Sequence, residues 1–167
     1  MKASIWNNNR YVKGEGLPGI WPSEPSLYDR AIGRQSFEEG MEQALLGDEM
    51  GFDWISLSEH HYIFNVMCPA PNLIAARMAP NLRNSKIAMM GPTMPLNDPI
   101  RVAEELAVLD NILDGRLVVG MLRGTPSEYP VGGVHPGETR DRTIEGMELV
   151  LKAWTCLLYT SPSPRDS

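Results

Sequence analysis

Gly51-Phe52-Asp53-Trp54-Ile55-Ser56-Leu57-Ser58-Glu59-His60-His61-Tyr62 runs from strand-forming residues into a cluster of titratable side chains. Residues 53–58 read as a strand, and side chains alternate across a strand. Ile55 and Leu57 therefore share one face, while Ser56, Ser58 and His60 share the other. The apolar face suits packing beneath helices, and the small polar face suits the interior of a barrel mouth. In a parallel α/β protein the active site opens where such a strand stops, and a base titrating near neutrality is most useful there. The same parity puts His60 in the site and turns His61 away from it. The plain alternative is a structural, hydrogen-bonded histidine at a strand end.

Outward from this stretch the chain alternates strands and helices. Residues 2–6 read as a short strand, and residues 7–34, rich in Asn, Gly and Pro, as a long loop. Ser36-Phe37-Glu38-Glu39 has the form of a capping box that opens a helix through Met41, Ala44 and Leu45, stopped by Gly51. Residues 70–82 predict a second helix with Pro71 in its first turn, and residues 86–91 a third strand ended by Gly91-Pro92. Asp98-Pro99 starts the clearest helix, whose stripe is Val102, Leu106, Leu109 and Leu113. Asp114-Gly115 turns the chain into a fourth strand over 116–121, and 139–154 form a helix with Ile144, Met147, Leu151 and Trp154 on one face. Strand–helix repeated in this way implies parallel pairing through right-handed crossovers. Such units, at about 155 residues for four, scale to roughly 300 for eight, the size of a (β/α)8 barrel. The competing reading is a complete open four-stranded α/β sheet.

Residues 156–167, Cys156-Leu157-Leu158-Tyr159-Thr160-Ser161-Pro162-Ser163-Pro164-Arg165-Asp166-Ser167, break the helical period. They resemble the in-frame translation of a transposon-end sequencing adapter; the alternative is a Pro/Ser-rich tail. The expected organisation is residues 1–155 as the N-terminal half of one barrel domain, truncated after about four β/α units, followed by a non-native tail.

Composition narrows the function. A net charge of −6 with no basic stretch argues against a nucleic-acid surface, and no apolar run suggests a membrane span or signal peptide. A cytoplasmic protein is expected. Cys68 and Cys156 make neither a disulfide framework nor a metal-ligand spacing, there is no His-Glu-x-x-His, and His135 alone completes nothing, so no metal is expected. Gly14, Gly16 and Gly19 are too loosely spaced for a dinucleotide fingerprint.

The stretch 51–62 resembles the second-strand motif of the bacterial luciferase-like flavin monooxygenases. Pro99-Ile100-Arg101-Val102-Ala103-Glu104-Glu105 with Leu109-Asp110 resembles that family's third helix, and Asp114-Gly115-Arg116-Leu117-Val118-Val119-Gly120-Met121-Leu122-Arg123-Gly124 its fourth strand and following loop. The similarity covers most of residues 36–154 in the family's order. It implies a (β/α)8 TIM barrel that binds reduced FMN at its strand ends and uses O2 to oxidise a small organic substrate. His60 falls on the family's catalytic histidine. Met90-Gly91 falls where the family often has a non-proline cis peptide against the flavin ring, and Arg123 matches an arginine that holds the FMN phosphate, a task suited to a guanidinium. A separate flavin reductase and pairing of barrels into a homo- or heterodimer are implied as well. Leu122 stands in place of the luciferases' reactive cysteine, and Thr125-Pro126-Ser127 replaces the aromatic and acidic residues after the arginine, so light emission is not implied. Two relatives of this scheme are a deazaflavin (F420)-dependent oxidoreductase on the same barrel and a non-catalytic partner subunit that retains the fold.

Overall fold

The computed structural model describes residues 1–7, 9–11 and 21–155. Its elements are β1 (Ser4–Trp6), α1 (Arg30–Glu49), β2 (Trp54–Ser58), α2 (Pro71–Met78), β3 (Lys86–Thr93), α3 (Pro99–Ile112), β4 (Leu117–Leu122) and α4 (Thr139–Trp154). The four strands form one sheet in the order β1-β2-β3-β4, with every pairing parallel. Strand and helix alternate, so each helix returns the chain to the start of the next strand. This is the arrangement of successive units in a (β/α)8 barrel.

Strand parity holds. Ile55, Leu57, Ile87 and Met89 are completely buried in a core shared with Ala44 of α1, Ala75 and Met78 of α2 and Leu106 of α3. On the opposite face Ser58, Met90 and Gly120 stand in register, as do Ser56, Ala88 and Val118 one step below. Leu113, at the end of the α3 stripe, is also fully buried. Each such side chain contributes about 1.5–3 kcal/mol of transfer free energy, so the inter-layer core holds helices and sheet together.

Polar groups fix the end of the sheet opposite the strand C-termini. The Asp48 carboxylate accepts from the backbone amides of Arg83, Asn84 and Ser85. Burial works to raise its pKa, but these amide donors prevail and hold it below the usual carboxylate value. Arg116 closes the same end, with Nη1 donating to Leu82 O at 2.9 Å and Nε to Leu113 O at 3.1 Å. Asp114 and Gly115 carry φ of 50° and 72°, the left-handed turn the Asp-Gly pair favours.

Three expectations are corrected. α1 begins two turns early: Asp29 caps it by accepting from Ala31 N at 2.8 Å and Ile32 N at 3.2 Å. Ser36 therefore sits inside the helix, its hydroxyl donating to Ile32 O, and the expected loop over 7–34 ends at residue 29. β3 continues past Gly91-Pro92 to Thr93, with a register shift against β4 between Met90 and Thr93. Among the described residues the cis peptide is Trp21–Pro22, so the Met90–Gly91 bond is trans. The adapter-like residues 156–167 lie outside the described residues, as does part of the first loop. Among those described, no helix is long and apolar enough to cross a membrane.

Candidate active site

Parallel pairing brings the C-terminal ends of β2, β3 and β4 to one edge, and with them His60, Met90-Gly91 and Arg123. The β2 end is held from both sides. The His60 amide donates to Cys68 O at 3.1 Å, which anchors the loop that leads away from the strand. Glu59, only 7% exposed, points between β2 and β3. Its carboxylate accepts from Thr93 N at 3.2 Å and from Asn97 Nδ2 at 3.0 Å, and pairs with His61 Nε2 at 2.9 Å.

His61 is thereby turned into the framework, as parity implied. The bond to Glu59 raises the His61 pKa; burial opposes that rise, and the charges of Glu59 and Glu128 add to it. Cys68 is fully buried, and burial pushes its thiol up to about 12, so it is inert at neutral pH.

Gly91 has a structural reason to be glycine. Its φ is 153°, and a Cβ there would stand 3.1 Å from both the amide nitrogen and the Cβ of Glu59. The bare backbone lets β3 close on the β2 end. Met90 is half-buried beside it, in register with Ser58 and Gly120. The Ser58 hydroxyl is buried there without a hydrogen-bond partner among the described residues.

The loop after β4 supplies a residue that sequence reading overlooked. Glu128, 2% exposed, reaches back across the strand ends so that its Oε1 lies 3.1 Å from His60 Nδ1 and accepts from the His61 amide at 3.1 Å. Its Oε2 accepts from Thr125 N at 3.0 Å and Thr125 Oγ1 at 2.8 Å. Burial works to raise the Glu128 pKa, but the His60 ring, the Thr125 amide and hydroxyl and the His61 amide together bring it down to about 2. The clue was present as an acid five residues beyond Arg123, but 68 residues separate it from His60.

Arg123 follows directly on β4, is exposed, and makes no hydrogen bond or ion pair among the described residues. Gly124 beyond it has φ of 83°, and a Cβ there would clash with Thr93 Cγ2. The donor set thus combines a guanidinium without a partner among the described residues, able to grip an anionic group, with half-buried bare backbone at Gly120, beside Met90, that a flat ring can approach closely. Beside His60 lies an apolar pocket of about 440 Å³, lined by Tyr28, Phe37, Ile63, Phe64 and Met67. A groove of about 750 Å³ runs between α2 and α3, from Glu59, Pro92 and Asn97 at the strand ends to Val108 and Ile112. His135 is also remote in role, since its Nδ1 accepts from Gly137 N at 3.1 Å in the turn before α4.

A family model described as luciferase-like monooxygenase matches residues 19–162. The chain is 28% identical over 123 residues to 2,5-diketocamphane 1,2-monooxygenase 2 of Pseudomonas putida, covering 72% of this chain and 34% of that protein. It thus spans about a third of the length of the curated relatives it matches. The oxygenating constituent of 3,6-diketocamphane monooxygenase from Pseudomonas putida, a type II Baeyer–Villiger monooxygenase in complex with FMN, superposes with a TM-score of 0.74 at 24% identity, over 92% of this chain and 39% of that one. The monooxygenase RslO1 from Streptomyces bottropensis superposes with a TM-score of 0.73 at 30% identity, over 92% and 43% of the two chains. The strand motifs read from the sequence, the parallel β/α units and the family match run over the same residues, and the chain belongs to the luciferase-like monooxygenase family.

Proposed function

We propose that these four β/α units carry the first half of the active site of a flavin-dependent monooxygenase, which uses reduced FMN and O2 to oxidise a small organic substrate. The observation that carries this reading is the convergence of His60, Gly91 and an unpaired Arg123 on one edge of the sheet. Arg123 would hold the FMN phosphate, while Met90 and the bare backbone of Gly91 would lie against its ring system. Bound there, reduced FMN supplies the electrons with which O2 is activated. His60 borders both the strand ends and the apolar pocket, and it would move a proton to or from the substrate. A pocket with that lining favours an uncharged, largely apolar substrate. A separate flavin reductase would supply the reduced cofactor. The groove between α2 and α3, with Leu73, Val108 and Ile112 exposed, would serve for pairing with a second barrel.

The test, made on the complete protein that these four units would belong to, is a binding titration with FMN and with deazaflavin F420, followed by O2 uptake with a reductase and a panel of apolar carbonyl compounds. Saturable FMN binding with substrate-dependent O2 consumption is expected. Absence of FMN binding sinks the reading, and binding of F420 alone turns it toward a deazaflavin oxidoreductase. His60→Ala should lower turnover by about 10²-fold or more while flavin affinity stays within about threefold. An equal loss of both would make His60 structural.

A further inference from the structure

His60 has two ring nitrogens, and the fold engages one of them. Nδ1 lies 3.1 Å from Glu128 Oε1, whereas Nε2 makes no hydrogen bond among the described residues. The His60 side chain is 28% exposed and borders the apolar pocket, while Glu128 is 2% exposed. Whether Nδ1 or Glu128 carries the shared proton follows from the other partners of the carboxylate. Oε1 accepts from the His61 amide, and Oε2 accepts from the Thr125 amide and hydroxyl. A carboxyl proton would take up a position on these oxygens and weaken them as acceptors, so the convergence of three donors, the His61 amide and the Thr125 amide and hydroxyl, stabilises the ionised carboxylate. Nδ1 must then be the donor, and in a neutral imidazole the remaining nitrogen is an acceptor.

We propose that Glu128 is a positioning residue: it holds the proton on Nδ1 of His60, fixes the plane of the ring, and dedicates Nε2 to proton exchange with the substrate. The pKa of Glu128, brought down to about 2, agrees with an ionised partner at neutral pH. Glu128 itself is buried beneath the ring and does not reach the pocket, so it acts through His60. A carboxylate that orients an imidazole and selects its tautomer is a general device for making one nitrogen the working base. The same carboxylate ties the loop after β4 to the end of β2 through the His61 amide, so the tautomer and the closure of the site are set by one side chain. This inference rests on the reading that His60 acts on a substrate.

The test is the ring spectrum of His60 in ¹⁵N-labelled full chain, recorded at a pH where the ring is neutral. A protonated Nδ1 with a non-protonated Nε2 is expected, and a ring protonated on Nε2 overturns the proposal. In Glu128→Ala the Nδ1–H preference should disappear; if it persists in a variant with an unchanged far-UV circular dichroism spectrum, Glu128 is not what holds it and the proposal fails. Should that variant not fold, the spectrum of the parent chain decides. Where turnover can be measured, Glu128→Ala should lower kcat by about 10²-fold with KM within about threefold, and a fall in KM-dependent binding alone would count against a positioning role. The ring spectrum needs no flavin. A protein that binds no flavin yet shows the Nδ1–H ring loses the proposed function and keeps the Glu128–His60 arrangement.

Discussion

α3 and α4 carry equally clear apolar stripes, yet the fold treats them in opposite ways. Val102, Leu106, Leu109 and Leu113 of the α3 stripe are all 5% exposed or less. Ile144, Met147, Leu151 and Trp154 of α4 are 47%, 37%, 52% and 40% exposed. α4 faces inward instead through Gly146, Val150 and the half-buried Ala153, spaced four and three residues apart on one helical face. The reason is steric: a Cβ on Gly146 would stand 2.9 Å from Met94 Cε, so α4 lies too close to the turn before α3 for a large residue. Trp154 reaches over the contact, its Nε1 donating to Ala103 O at 2.9 Å. Periodicity identifies a helix with a buried face, but the neighbour decides which face is buried. α3 is flanked by α2 and α4, whereas among the described residues the helix that α4 chiefly packs against is α3, beside the half-buried strand β4.

The largest effect should come from the α3 stripe. Leu106 is fully buried, so Leu106→Ala should cost about 3–5 kcal/mol in chemical denaturation, the sum of lost transfer energy and a residual cavity. A cost near 1 kcal/mol would mean that the inter-layer core is loose and that α3 resembles α4 more than its burial implies.

Acid should next separate the two halves of the sheet. Glu128 ties the loop after β4 to the end of β2, and its pKa lies near 2 against an ordinary value of 4.5. A depressed carboxylate contributes stability that is fully present above the unfolded value and is lost as pH falls through the folded one. The loss should therefore develop between pH 4.5 and 2 and amount to about 2–3 kcal/mol. The amides of His61 and Thr125, which donate to Glu128, should lose hydrogen-exchange protection in that window. His61 has the opposite sign: its pKa is raised by Glu59, so its contribution is present below 6.5 and declines as pH rises through the folded value. Protection at residues 61 and 125 that survives to pH 2 would show that the β4 loop is held by something other than this carboxylate.

The helix caps give a smaller, local check. Asp98 accepts from Arg101 N at 2.9 Å at the start of α3, and Asp98→Ala should cost about 1 kcal/mol. α4 opens on Glu138 with no side-chain cap, so Glu138→Ala should change stability by less than about 0.5 kcal/mol.

Much of the scaffold was legible because its signals are local. Asp98-Pro99, Asp114-Gly115 and the alternation in residues 53–58 each specify their own backbone, and each recurs in the structure at the expected place. The misread start of α1 is a contest between two local signals: Ser36-Phe37-Glu38-Glu39 has the capping pattern, but Asp29 reaches two amides earlier and the helix continues through. The strand end at Gly91-Pro92 was overrun because β3 absorbs the irregularity as a register shift. His60 and Arg123 stood out in the sequence because each follows directly on a strand pattern, and Gly91 because Gly-Pro reads as a strand end, although β3 runs on to Thr93. Glu128 could not, because it lies in an aperiodic loop and its role depends on a contact 68 residues away. Long-range pairing of this kind is set by topology and leaves no mark in the local pattern.

The smallest predicted effect is the most informative about α4. Leu151 belongs to the outward stripe and is 52% exposed, so Leu151→Ala removes little buried surface and should change stability by less than about 0.5 kcal/mol. Alanine is also the better helix former, which offsets part of the lost contact. The measurement has a sharp contrast in Leu106→Ala, since the two substitutions delete the same atoms from the same residue type. If Leu151→Ala proves as costly as Leu106→Ala, the stripe over Ile144, Met147 and Leu151 is covered in solution. A dependence of that cost on protein concentration would then assign the cover to a second copy of the chain, because only association makes stability depend on concentration. A small, concentration-independent cost would leave α4 with its large apolar side chains facing water, and would make the contrast with α3 a property of the single chain.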